Sequence, residues 1–252
     1  MPLKEVQEQL YNMYQPRTYR RWIKDDGLVS FNVVVKETDI YIRAASNLEA
    51  EAIKAVNKHR TPLEEYIDRH PLFLHSLEPY AVDEDAPDIV RDMAQAAGIV
   101  GVGPMAAVAG AIAEAVGRDL LVYTPEVIVE NGGDIFLKVS QKSLIGVYAG
   151  ESPFTGKIAL EINPEETPLG ICTSSGTVGH SLSLGSADAV ITLSHSTALA
   201  DAAATAIGNK VIAADDIDAV IEQVSVMQGL VGAVIIKGDR MGMWGNVKLV
   251  TL

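Results

Sequence analysis

Apolar and polar positions change period several times along the chain, and each change predicts an element. Leu28–Lys36 and Asp39–Arg43 are rich in β-branched residues and are separated by a short polar link, which predicts a hairpin. From Asn47 the period lengthens. Leu48-Glu-Ala-Glu-Ala-Ile-Lys-Ala-Val predicts a helix capped by Asn47 and running towards His59, and Thr61-Pro62 predicts the start of a second helix. Residues 75–87 are acidic and proline-containing and read as a surface connection before a short helix over Ile89–Ala97. Gly101–Gly117 (G-V-G-P-M-A-A-V-A-G-A-I-A-E-A-V-G) predicts a helix of small residues, with Pro104 in its first turn and Gly117 at its end.

Strands follow over 126–130, 134–140 and 143–149, near 157–162, and over Leu169–Cys172 and Ala189–Leu193. A second small-residue helix spans Ser196–Gly208, and an amphipathic helix spans Asp216–Met227. Val231–Lys237 and Val247–Leu252 read as closing strands. The strands come in adjacent pairs and do not alternate with helices, which predicts an α+β fold. Two small-residue helices, each associated with strands, suggest two related α/β halves, roughly residues 20–150 and 151–252. No Gly/Ser- or Pro-rich linker separates them, so the expectation is a single domain.

Composition narrows the function. A formal charge of −13 argues against a nucleic-acid partner, because phosphate contacts need clustered Lys and Arg. An acidic protein that handles an anion needs a local device such as a metal ion or a nest of backbone N–H groups. Cys172 is the one cysteine, so an intrachain disulfide is impossible, and the five histidines lack the spacing of a zinc site. The N-terminal M-P-L-K-E-V-Q-E-Q-L carries charge where a signal peptide needs an apolar core, so a cytoplasmic location is expected. Met93–Ala113 carries no charge and is long enough to cross a bilayer, but its glycines and alanines gain little from lipid, so no membrane partner is expected.

Three stretches could carry chemistry. Asn131-Gly132-Gly133-Asp134 lies between apolar runs and reads as a hairpin turn or as a place of close ligand approach. Gly170–His180 (G-I-C-T-S-S-G-T-V-G-H) offers glycines and hydroxyls suited to phosphate or sugar oxygens, the alternative being a flexible surface loop. Asp201 and Thr205 share one helix face a turn apart and could hold a hard cation such as Mg²⁺; the alternative is a dipole-complementing Asp and a back-bonded Thr. Cys172 could be a nucleophile or sulfur carrier, or a buried inert thiol.

Taken in order, these stretches resemble the FAD:protein FMN transferases, the ApbE-like proteins. The resemblance rests on Gly103–Gly117, on Asn131-Gly132-Gly133-Asp134-Ile135, on Thr173-Ser174-Ser175-Gly176 and on Ala200-Asp201-Ala202-Ala203-Ala204-Thr205-Ala206, and covers roughly residues 100–210. It implies a T-fold-like pair of halves, with Asp201 and Thr205 as Mg²⁺ ligands. It also implies that Asn131, Gly132, Gly133, Asp134, Thr173, Ser174, Ser175 and Gly176 line an FAD or FMN nucleotide. His180, the histidine nearest these motifs, is the candidate for acid–base work. The chain departs from the family pattern in having Gly103-Pro104-Met105 where transferases carry Lys-Gly, and in lacking an H-x-x-D-P-x-T-G segment. The expected function is Mg-dependent binding of a flavin nucleotide or similar diphosphate, serving FMN transfer or pyrophosphate cleavage, in a chain that could form a homo-oligomer. The alternatives are a sulfur-handling carrier using Cys172 and a non-catalytic member of the fold.

Overall fold

The computed structural model describes residues 27–178 and 183–252. It is a mixed α and β protein whose paired strands, among the described residues, run antiparallel, in agreement with the expected α+β class. Strands β1 (Val29–Val35) and β2 (Thr38–Ala44) form the expected hairpin, with Val35 opposite Thr38. Helix α1 then runs unbroken over Glu49–Arg69, with Pro62 inside it. The break expected at Thr61-Pro62 does not occur. Proline forfeits one backbone hydrogen bond in a helix interior, but Val56 before it and Leu63 and Tyr66 after it are buried together and hold both sides in place.

A short α2 (Pro71–His75) leads through an irregular segment to α3 (Asp88–Val100), which ends on Gly101 at φ 78°. This left-handed cap explains a second difference from expectation. Gly101 closes α3 and does not open the next helix, Pro104–Ala107 is a single 3₁₀ turn, and α4 runs over Val108–Leu120, past Gly117. Gly117 is therefore a packing glycine and not a helix end: a Cβ built there would lie 2.2 Å from the Phe136 ring. No single helix among the described residues is long and apolar enough to cross a membrane; α3 and 104–120 pass that test only jointly and meet at a 105° bend. Their apolar residues, Met93, Ala97, Ile112 and Val116, are buried in the core.

Strands β3 (Val127–Asn131), β4 (Asp134–Lys138), β5 (Ser143–Gly146), β6 (Ile158–Ile162), β7 (Leu169–Ser174) and β8 (Ala189–Ser194) precede α5 (Thr197–Gly208). Helix α6 (Ile217–Val224) and strands β9 (Leu230–Lys237), β10 (Arg240–Gly245) and β11 (Leu249–Thr251) complete the chain. Eight strands form one sheet in the order β1-β2-β3-β4-β7-β8-β9-β10, and β11-β6-β5 form a second. β10 escapes sequence reading because Gly242 and Gly245 interrupt its pattern. Gly242 is needed where α6 crosses the strand, since a Cβ there would lie 2.4 Å from Ile217.

Strand alternation divides the large sheet into two apolar faces. Val127, Val129, Phe136 and Ile235 face the helices; Ile128, Leu137, Ile171, Ile191 and Val234 face the small sheet. Each strand quartet, β1–β4 and β7–β10, carries its helices between its second and third strands. The quartets join where β4 pairs with β7. Helix α4 packs on β3 and β4, α5 packs on β7 and β8, and the two helices touch over this seam.

Replacing Gly117 by Ala should push α4 away from Phe136 and destabilise the protein by about 1–3 kcal/mol, the usual cost of overpacking. Thermal unfolding measures this, and Gly117→Ala combined with Phe136→Leu should recover part of the loss.

Candidate functional site

Helices α4 and α5 hold each other by their N-termini. The first turn of a helix leaves backbone N–H groups without helical partners, and carboxylates satisfy them well. Asp201 on α5 accepts a hydrogen bond from Gly110 N–H on α4 at 2.8 Å, through Oδ2. Glu114 on α4 accepts one from Thr197 N–H on α5 at 2.7 Å, through Oε2. Residues 110 and 114 are one turn apart, as are 197 and 201, so the two bonds form a reciprocal clasp. Gly110 makes it possible: a Cβ there would lie 2.4 Å from the Thr197 carbonyl oxygen and 2.8 Å from Asp201 Cβ. Asn131 adds a third grip at the same helix start, donating from Nδ2 to the Ala109 carbonyl at 3.1 Å.

Behind this clasp lies a second carboxylate. Asp134 begins β4, is 7% exposed, and accepts from Thr173 N–H at 3.2 Å. Burial raises its pKa to about 7, against the lowering effects of the Cys172 thiol and the Thr173 N–H, with the Glu130 charge adding to the rise. Burial likewise raises Asp201 well above the ordinary carboxylate range, the Asp134 charge pushes it further, and the N–H groups of Gly110 and Ala109 oppose the rise. Residue Asp201 keeps a partly exposed edge although its carboxyl is enclosed. Among the described residues no Lys or Arg is a charge acting on either group.

The structure thus brings Asn131, Asp134, Thr173 and Asp201 together around the start of α4. Gly132 and Gly133 form the two-residue turn between Asn131 and Asp134, at φ 70° and 110°. Positive φ is enough to require glycine there, and among the described residues a Cβ on Gly133 would meet nothing within 4 Å, so they leave this side of the turn open. Thr173 contributes its N–H, while strand alternation sends its side chain to the face of the sheet away from Asp201. Ser174 is buried and faces Gly208. Ser175 orders the following turn by accepting from Thr177 and Val178 N–H at 3.1 and 2.9 Å, and Gly176 packs on the Gly185 carbonyl. Thr205 is half-buried one turn beyond Asp201. His180 lies outside the described residues.

Cys172 does not have the setting of a nucleophile. It is fully buried, and its thiol lies 3.4 Å from the Thr197 carbonyl and within hydrogen-bond reach of Asp134. Burial and the charges of Asp134 and Asp201 raise its pKa well above the ordinary thiol value. A thiolate, the reactive form, is therefore strongly disfavoured, which counts against the carrier reading.

Sequence reasoning also passed over Glu114 and Thr197. The signal for Glu114 was present, since it is the single charged residue in Gly101–Gly117. Thr197 gave no such signal, and its buried Oγ1 has no hydrogen-bond partner among the described residues. Glu114 also borders a cleft of about 460 Å³ between α3, α4 and the start of α5, whose lining includes Asp92, Gln95, Arg118 and Leu199. Of the segments singled out from the sequence, Gly103–Gly117 reaches that cleft through Ala111, Glu114 and Ala115, and none of the candidate metal or nucleotide residues lines it.

The profile of the family described as AbpE bacteria matches residues 20–240, and the chain belongs to this family. Its relatives include a "UPF0280 protein" of Methanosarcina acetivorans, 43% identical over 220 residues, covering 86% of this chain and 87% of the relative. The corresponding protein of Methanopyrus kandleri is 42% identical over 234 residues, covering 89% and 94%. Among solved structures, the fold is similar to the ApbE protein of Thermotoga maritima, with a TM-score of 0.59 and 12% identity over 85% of this chain and 96% of that one. It is also similar to the apo flavinyl transferase ApbE of Pseudomonas stutzeri, with a TM-score of 0.56 and 12% identity over 88% and 94%.

Two outcomes are expected. Asp134 has a raised folded-state pKa, so the stability it contributes is fully present below its unfolded value of 3.8 and is lost as pH rises through about 7. The melting temperature should therefore fall between about pH 5 and about pH 8 for this reason, and Asp134→Asn should flatten that slope. Alkylation of Cys172 under native conditions should proceed no faster than global unfolding admits the reagent; rapid labelling of folded protein would contradict its enclosed position.

Proposed function

We propose that this chain binds a flavin nucleotide, or a similar diphosphate ligand, together with Mg²⁺ where the start of α4, the β3–β4 turn and α5 meet. One observation carries the reading: Asp134 and Asp201 are two enclosed carboxylates, the charge of the first disfavours ionisation of the second, and among the described residues no basic side chain is a charge acting on them. Such a pair holds its protons unless a cation takes their place. Among the described residues no group of three or more His, Cys, Asp or Glu is arranged to hold a metal alone. A site of one or two carboxylates completed by carbonyls, water and ligand phosphates is the setting that suits Mg²⁺ better than zinc. The donor set fits that ion.

In this reading Asp201 holds the cation, with Thr205 on the same helix face as the second side-chain ligand. Asp134 adds negative charge behind it. When bound, Mg²⁺ would offset charge on a diphosphate and polarise it towards cleavage. The chain's own groups orient the ligand: the open side of the Gly132-Gly133 turn admits close approach, and the Thr173-Ser174-Ser175-Gly176 segment borders the nucleotide. His180 is assigned the proton-transfer role. Membership of the AbpE bacteria family, and the likeness in fold to the flavinyl transferase ApbE of Pseudomonas stutzeri, support flavin as the ligand and FMN transfer or pyrophosphate cleavage as the reaction class.

Titration with FAD, with and without Mg²⁺, tests the reading. Wild type should bind in a metal-dependent way, and Asp201→Asn should bind at least about tenfold more weakly, since it removes the charge yet keeps an oxygen to accept from Gly110. Metal-independent binding, or an unchanged variant, would count against it.

A further inference from the structure

We infer that Glu114 is a positioning residue for Asp201, acting across the helix pair and not through contact with ligand. The inference deepens the metal-site reading and rests on it for its functional half; its structural half stands on the clasp alone.

The geometry is as follows. Asp201 sits on α5, which packs on β7 and β8 and meets α4 through two hydrogen bonds and one close backbone contact. One bond is made by Asp201 itself, to Gly110 N–H; the other joins Glu114 to Thr197 N–H. Close contact at Gly110, where a Cβ would lie 2.4 Å from the Thr197 carbonyl, allows the helices little slack. Thr192 Oγ1 ties α5 to β8 by donating to the Ala200 carbonyl at 2.6 Å, and the two attachments a turn apart set the angle at which α5 meets α4. With one of them lost, that angle is less constrained. Asp201 and Thr205 both ride on α5, so any pivot moves the proposed ligands together.

Glu114 is itself held. Its Oε1 accepts from Arg118 Nε and Nη2 at 2.8 and 2.6 Å, which leaves Oε2 aimed at Thr197. Arg118 in turn lies over the Phe136 ring at 5.6 Å. Phe136 is on β4, the strand that begins with Asp134. A chain of contacts therefore joins the β4 strand, Arg118, Glu114 and the start of α5, ending at the helix that presents Asp201. Ser196 caps the same helix by accepting from Leu199 N–H at 3.2 Å, so losing Glu114 leaves α5 a helix while freeing its placement.

Native-state amide hydrogen exchange at Gly110, Thr197 and a core strand amide, Ile191, tests this in wild type, Glu114→Ala, Glu114→Gln and Arg118→Ala. Thr197 loses its partner in Glu114→Ala and should exchange faster. The decisive amide is Gly110, whose N–H bonds Asp201 and not the Glu114 side chain: it should exchange about tenfold faster or more in Glu114→Ala, while Ile191 stays at the wild-type rate. Glu114→Gln keeps an acceptor and should restore most of the Gly110 protection; Arg118→Ala, which keeps the Glu114 acceptor but frees its side chain, should lie between wild type and Glu114→Ala. Unchanged Gly110 protection in Glu114→Ala would overturn the inference, and so would equal acceleration at Gly110 and Ile191, which would mean general destabilisation. Should Glu114→Ala fail to fold, Glu114→Asp, shorter by one methylene, carries the same expectation.

Mg²⁺-dependent FAD titration of the same proteins then separates the two readings. Weaker binding in Glu114→Ala with recovery in Glu114→Gln supports both. Faster Gly110 exchange with unaltered binding would overturn the functional half of the inference. No binding by wild type would remove the proposed function and leave the exchange result to decide whether Glu114 positions Asp201.

Discussion

The structure depends on the reciprocal clasp between α4 and α5. Two helices that meet at their N-terminal turns place positive dipole ends side by side, an arrangement that needs negative charge from somewhere. Here each helix supplies it to the other: Asp201 to Gly110, Glu114 to Thr197. That exchange permits the small-residue surfaces to approach closely, and the approach in turn settles both helices over the β4–β7 seam. A bulkier residue at 110 would strike backbone, which is more rigid than a side chain tip.

Enclosing the clasp has an electrostatic cost. Asp201 and Asp134 are both enclosed, burial raises the proton affinity of each, and the Asp134 charge raises that of Asp201 further. Hydrogen bonds from Gly110, Ala109 and Thr173 offset part of that burden but not all of it. In a core built mostly from alanine, valine, isoleucine and leucine, apolar substitutes would pack more favourably than a pair of repelling acids. Their presence is what sets this region apart from ordinary helix packing and makes it the candidate for ligand chemistry.

Much of the fold was legible in the sequence because it is carried by local periodicity. The β1–β2 hairpin, the Asn131–Asp134 turn and the α5 helix follow from β-branched runs, from an Asn-Gly pair and from an unbroken small-residue segment. Three features were hidden because their causes are long-range. Pro62 stays within a helix since Val56, Leu63 and Tyr66 anchor it. Gly101 and Gly117 exchange the roles expected of them because one adopts a left-handed cap and the other faces Phe136. β10 is concealed by glycines that α6 requires. At the site, Asp134 and Asp201 stood out as acids beside glycine- and alanine-rich sequence, whereas Glu114 gains its meaning from Thr197, 83 residues away.

The β4–β7 seam has a consequence for how this protein can change. Gly110, Asn131 and Asp134 come from the first strand quartet and its helices; Cys172, Thr173, Thr197 and Asp201 come from the second. Neither half contains a site that could be inherited, duplicated or lost by itself. A substitution on one side alters the fit of the other, so the two halves are bound to vary in concert, as the two faces of a hinge must when its pin is resized. The parts freest to diverge independently are those away from the seam, such as the small β11-β6-β5 sheet, whose strands provide none of the residues just named.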